Sequence, residues 1–155
     1  MSNHKGMKII DQNLHTTGDV SVGGSMMPLK VNWDAPAAPG TTNQTITIAE
    51  ILTGILQDDP EGAGTWTLPT AALAVGGVAN VKVGDCIDFA VINESDGNEI
   101  ITMAAGSGGS LVGKAEVEAK VGADATEQNA GSGLFRIRFT GVESSSESYV
   151  CYRLA

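Results

Sequence analysis

The residues best suited to chemistry are few and widely spaced. Gly108-Gly-Ser-Leu-Val-Gly113-Lys114 matches the first seven positions of the phosphate-cradling loop G-x-x-x-x-G-K. The next residue must carry a hydroxyl to hold magnesium, and here it is Ala115. Such a loop must also open a helix whose first amides bind phosphate, yet Ala115–Val121 alternates like a strand. The better reading is a Gly-rich hairpin loop. Asp58, Asp59 and Glu61 cluster at a turn but lack the alternating spacing of a calcium loop, so a solvated acidic turn is expected. Asp88 is the one hint of a buried acid with a raised pKa, and an edge or interface position explains it equally well.

The two histidines, His4 and His15, both precede the regular part of the chain, and neither Cys86 nor Cys151 lies near them in sequence. A zinc site therefore lacks ligands at usable spacing. A G-x-S-x-G elbow is missing too, so a hydrolase would have to borrow its base from the N-terminal segment. No catalytic residue, cofactor or metal is expected. Cys86 and Cys151 could pair only if their strands were neighbours. The better expectation is two free thiols acting as small buried hydrophobes. Trp66, beside turn residues, could stack a sugar, though packing beside Leu68 in the core is the stronger expectation. Arg136 and Arg138 share a strand face that could bind an anion, though the stronger expectation is that it is solvated or paired with acids such as Glu116 and Glu118 on an adjacent strand.

The elements that would position these residues are mostly strands. Charged residues are only 17% of the chain while Gly fills 20 of 155 positions, a balance that favours β structure with tight turns over long helices. Thr45–Ile48 alternates as a strand, Ala49–Gly54 suits a helical turn, and Ile55–Gln57 a short strand. Thr65–Leu68 alternates until Pro69, after which Thr70 caps a short helix over Ala71–Val75 that Gly76-Gly77 ends. Asp85–Ile92 is apolar on both faces and so is predicted to be a central strand. Asp96-Gly97 signals a hairpin with Glu99–Ala104 returning. Ala115–Val121, Leu134–Thr140 and Ser148–Leu154 complete the strands. The predicted fold is all-β: a mainly antiparallel β-sandwich or barrel-like, jelly-roll-type domain over residues 44–155, with one or two short helices.

Residues 1–43 keep neither period and contain Pro36-Ala-Ala-Pro-Gly40, so they are expected to form an extended N-terminal arm and linker. The arm is too apolar for an ordinary disordered tail, and Met7, Ile9, Ile10, Leu14, Met26, Met27 and Trp33 are its candidate partner-binding anchors. The net charge of −9 with scattered basic residues argues against nucleic acid and anionic membranes. Residues 1–10 hold no apolar secretion core, so synthesis in a cytoplasm is expected.

Several of these segments resemble one family. Thr45-Ile-Thr-Ile-Ala-Glu-Ile-Leu-Thr-Gly-Ile55 and Thr65-Trp-Thr-Leu-Pro-Thr-Ala-Ala-Leu73 look like a small β domain recurrent among structural proteins of tailed phages. So do Val83-Gly-Asp-Cys-Ile-Asp-Phe-Ala-Val-Ile-Asn93, Thr102-Met-Ala-Ala-Gly106, Phe135-Arg-Ile-Arg-Phe-Thr-Gly-Val142 and Tyr149-Val-Cys-Tyr152. The resemblance spans about 44–155, with the Leu-Pro-Thr-Ala element the most specific. It implies a virion component without enzymatic activity: a capsid decoration or cement protein on the outer capsid surface, partnered by the major capsid protein and by itself as a homotrimer. Related domains occur in fibres, so a fibre or spike module contacting host glycan is the alternative.

Overall fold

Capping chemistry sets the first elements. In the computed structural model, which describes residues 34–120 and 131–155, strand β1 is only Gln44–Thr45, and helix α1 (Ile48–Leu52) starts at once behind it. The expected strand over Thr45–Ile48 is cut short because Thr47 opens a capping box. Its hydroxyl accepts from the Glu50 amide at 3.2 Å, and the Glu50 carboxylate accepts from the Thr47 amide at 2.6 Å. The helix ends where Gly54 takes a positive φ of 81°, as its position predicts. Strands β2 (Ile55–Asp58) and β3 (Gly64–Thr67) follow, then helix α2 (Ala71–Gly76), capped by Thr70. The remaining strands are β4 (Cys86–Asn93), β5 (Ile101–Ala104), β6 (Gly109–Val112), β7 (Glu116–Val117), β8 (Ser132–Gly141) and β9 (Ser148–Arg153).

These strands form two mixed sheets, ordered β1-β3-β5-β7 and β2-β4-β8-β9-β6. From β1 to β8 each strand lies in the opposite sheet from the one before it. Up to β6, crossing to the other sheet and back returns the chain in its original direction, so strands two apart in the chain run parallel; β7 then reverses beside β5. Thus β1 with β3, β3 with β5 and β2 with β4 pair in parallel, as do β6 and β9. Only β4–β8, β5–β7 and β8–β9 are antiparallel. The expected mainly antiparallel pairing is therefore corrected, and the sheets do not close into a barrel.

The expected hairpin after β4 is corrected for the same reason. Asp96-Gly97 does turn the chain, but β5 joins the other sheet beside β3. The crossing is held by two buried polar residues. Asn93 donates from Nδ2 to the carbonyls of Glu99 (2.8 Å) and Val117 (3.0 Å), and its Oδ1 accepts from the Ser95 amide (3.1 Å). Ser95 in turn donates to the Glu99 carboxylate and accepts from the Gly97 amide.

One apolar cluster draws on both sheets and both helices: Ile46, Trp66, Ile101, Met103 and Val117 on one side, Leu56, Phe89, Val91, Phe135, Ile137 and Phe139 on the other. The inward set Phe135, Ile137 and Phe139 is as the alternation predicts. Phe89 and Phe135, paired across β4 and β8, stack with ring centres 5.7 Å apart. Tyr149 ties β9 to the Leu-Pro-Thr-Ala element. Its hydroxyl donates to the Pro69 carbonyl at 2.9 Å and accepts from the Gly106 amide at 3.0 Å. Gly109, directly opposite on β6, leaves room for the ring, since a Cβ there would collide with it. Tyr149→Phe is expected to lower unfolding stability by about 2 kcal/mol, because it strands the buried Pro69 carbonyl and the half-buried Gly106 amide. Urea titration with an unchanged slope is the check.

Part of the segment expected as linker lies against β2. Ala37 forms a parallel bridge with Leu56, donating to the Ile55 carbonyl (3.0 Å) and accepting from the Gln57 amide (2.9 Å).

Candidate functional surface

Each sequence candidate for chemistry can be followed into the fold. Gly108–Lys114 is no hairpin loop. Its middle is the edge strand β6, bent at both ends by Gly108 and Gly113, whose φ values are 79° and 101°. No helix follows it; the chain proceeds to β7, so the backbone amides are not gathered for phosphate. The Asp58 carboxylate is engaged by backbone, accepting from the Gly40 amide at 2.7 Å and the Asp59 amide at 2.9 Å. Among the described residues no group of three or more His, Cys, Asp or Glu is placed to hold a metal ion. His4 and His15 lie outside the described residues, as do the arm anchors Met7, Ile9, Ile10, Leu14, Met26, Met27 and Trp33.

Asp88 is not a buried acid. It stands on the outward face of β4 and receives both Nε and Nη2 of Arg136, on the neighbouring β8, at 2.6 and 2.7 Å. The fork-to-fork hydrogen bonds hold its carboxyl below the usual carboxylate range, opposite to what a general acid requires. Arg136 thus finds its acid on β4, whereas Glu116 and Glu118 pair with Lys114. The expected pairing fails because β7 lies in the other sheet. Trp66 is 1% exposed, which removes it as a sugar platform.

The cysteines separate. Their strands β4 and β9 flank β8, so they are not neighbours, and both thiols are free. Cys151 is buried as expected; Cys86 is exposed, since it points away from the core at the open start of β4. Burial pushes the Cys151 thiol up to about 12 from 9.0. A group raised on folding gives stability that is complete below its unfolded pKa and lost as pH climbs toward the folded one. Cys151→Ala should therefore flatten the fall in stability between about pH 9 and 12, followed by thermal melts of the two proteins.

What the fold leaves open is apolar surface. On the outward face of the five-stranded sheet, Ile55 of β2 lies beside Ala90 of β4, which faces Leu134 of β8, and Ile92 continues the row. Across the Asp88–Arg136 pair, Val150 and Tyr152 of β9 face Ser110 and Val112 of β6. Leu134, Val112 and the following Leu154 are 40%, 51% and 45% exposed. Leu52 of α1 lies at the edge of this face beside Cys86, Asp88 and Arg136, and Ile55, Ala90, Ile92, Val150 and Tyr152 are half-buried. A second apolar feature is a groove of about 470 Å³ between the start of α1 and α2. Ile48, Pro69, Ala72 and Leu73 line it, with Leu73 63% exposed. The two-sided apolarity of β4 is legible in the sequence, where it reads as the sign of a central strand. Among the described residues no helix is long and apolar enough to cross a membrane.

Comparison of the chain with protein-family models, with curated proteins and with solved structures finds no match.

Proposed function

We propose that this is a structural protein of a tailed-phage virion: a capsid decoration protein that self-associates on the outer capsid surface and stabilises the head by bridging subunits. The observation that carries the reading is the apolar row on the outward face of the five-stranded sheet, where Leu134, Val112 and Leu154 are exposed among the described residues, on an acidic β scaffold. Contiguous exposed apolar surface marks an interaction site, and a net charge of −9 disfavours contact with packaged DNA. The polar side chains that do converge, around Asn93, Tyr149 and Thr47, are engaged in holding crossings and caps. The family resemblance of residues 44–155 points the same way. In this reading the two sheets are the layers of a sandwich, and the major capsid protein is met by the arm through Met7, Ile9, Ile10, Leu14, Met26, Met27 and Trp33. Many weak contacts repeated over a shell give strong collective attachment without catalysis.

The test is to mix the full chain with expanded capsids lacking it. Co-sedimentation and a higher capsid melting temperature are expected. Absence of binding at saturating protein would refute the reading. The fibre or spike alternative has lost its best residue with the burial of Trp66.

A further inference from the structure

The groove between α1 and α2 opens on an unpaired sheet edge, and the two features together define what fits there. We propose that it binds an extended segment of a partner protein. The segment adds to β1 as a further strand and seats a large apolar side chain among Ile48, Pro69 and Leu73. This site stands on its own geometry and does not depend on the virion assignment.

Strand β1 is the outermost strand of the four-stranded sheet. It pairs in parallel with β3, Thr45 opposite Thr67, and the Ile46 amide donates to the Thr67 carbonyl at 2.8 Å. In a parallel ladder that pattern turns both backbone groups of Thr67 toward β1 and both backbone groups of Thr45 away from β3. No described residue bonds the Thr45 amide or carbonyl, and Thr45 is exposed. The fold accepts such an addition elsewhere: Ala37 extends the edge of β2 through backbone bonds of 3.0 and 2.9 Å. Thr45 and Ile46 line the groove together with Pro69, Leu73 and Gly76. Its volume of about 470 Å³ has room for a large apolar side chain. Ile48 is packed so closely on Gly77 that a Cβ there would collide with it, so this wall is fixed.

Charge decides the composition of the segment. No ionisable side chain occurs between Glu61 and Lys82, the stretch that supplies Pro69, Leu73 and Gly76, and none occurs in 44–49. The charge beside the groove is Glu50, whose carboxylate bonds the amide and hydroxyl of Thr47. The chain as a whole carries −9. A segment rich in carboxylates is repelled, whereas an apolar one with Lys or Arg toward Glu50 is complementary. A free strand edge beside an apolar groove is the arrangement that reads extended peptides. Main-chain hydrogen bonds hold the segment, and the groove selects its side chain. In either strand direction one peptide N–H meets the Thr45 carbonyl and one peptide carbonyl meets the Thr45 amide. A hydrocarbon ligand would fill the groove and leave both groups unused.

The experiment is fluorescence anisotropy of the full chain with pools of short, end-capped peptides, random except at the central position. Pools fix that position as Leu, Phe, Ser or Asp. The Leu and Phe pools are expected to bind ~10-fold or more tightly than the Ser and Asp pools. In the best-binding peptide, N-methylation of one central amide should weaken binding ~10-fold, while methylation at the ends should not. Gly76→Leu fills the groove from a position where a Cβ meets nothing, and should weaken binding ~30-fold without lowering the melting temperature. Leu73→Ser, at an exposed position, should weaken it ~10-fold, and Leu134→Asp on the sheet face should leave it unchanged. Leu and Phe pools that bind no better than the Asp pool at ~1 mM overturn the proposal, whether the groove is bare or filled by another part of the chain. Binding indifferent to N-methylation overturns it, since no strand is then added. So does binding that survives both Gly76→Leu and Leu73→Ser. An oligomer that Gly76→Leu takes apart in sedimentation would make the occupant a second copy and overturn it as well.

Discussion

Replacing Asn93 by Leu is expected to cost about 3–4 kcal/mol of unfolding stability, although leucine keeps the same branched arrangement of four side-chain heavy atoms. Asn93 is 1% exposed and bonds three backbone groups from three places: the carbonyls of Glu99 and Val117 and the amide of Ser95. Leucine leaves all three without this partner, two of them, the Val117 carbonyl and the Ser95 amide, in buried positions. Each stranded group costs about 1–3 kcal/mol, and partial relaxation of the 94–99 crossing recovers some of the total. Asn93→Asp makes a sharper test. A carboxylate would place an anionic oxygen against two carbonyl oxygens, so the folded state favours the protonated acid and raises its pKa. Stability of that variant is then retained below the unfolded carboxyl pKa and lost as pH rises through the folded value. Denaturant melts at pH 4 and pH 7 should show the aspartate variant approaching wild type only at the lower pH. A loss under 1 kcal/mol for the leucine variant would mean that the crossing is not held by Asn93.

The second large effect is expected at Trp66. Trp66→Ala should cost about 3–5 kcal/mol, the range for deleting a buried aromatic, and the variant is expected to be partly unfolded at 37 °C. The indole is 1% exposed on β3, beside Met103 of β5 and Gln44 of β1, in the one cluster that both sheets share. Close-packed cores do not collapse freely around so large a void. Thermal melts of the purified variant measure the loss. A stable, well-folded Trp66→Ala protein would show that the indole is dispensable to the core.

How much of this was legible in the sequence depended on whether the determinant was local. Helix α2 was readable because Thr70 and Gly76-Gly77 bracket it within seven residues. Strand β8 was readable because Phe135, Ile137 and Phe139 alternate with Arg136 and Arg138. The cap of α1 was present as Thr47-x-x-Glu50, and the alternation of Thr45–Ile48 overshadowed it. What the sequence could not disclose was pairing. Asp96-Gly97 encodes a change of direction, whereas the partner of β5 is chosen by core residues far away in sequence and by the bonds of Asn93. The same limit misassigned the partner of Arg136. On a strand face, the acid that pairs depends on strand order, and β4 rather than β7 is the neighbour of β8. The candidate surface was half visible. The apolar second face of β4 was evident, but its continuation through Leu134 and Val150 appears only once β8 and β9 are laid beside it.

The most direct test of the virion assignment is a cryo-electron reconstruction of the particle that carries this protein. The account predicts density for the two-sheet domain at regular positions on the outer capsid surface, in contact with neighbouring copies. Density confined to the tail or fibres, or a particle complete without the protein, would contradict it.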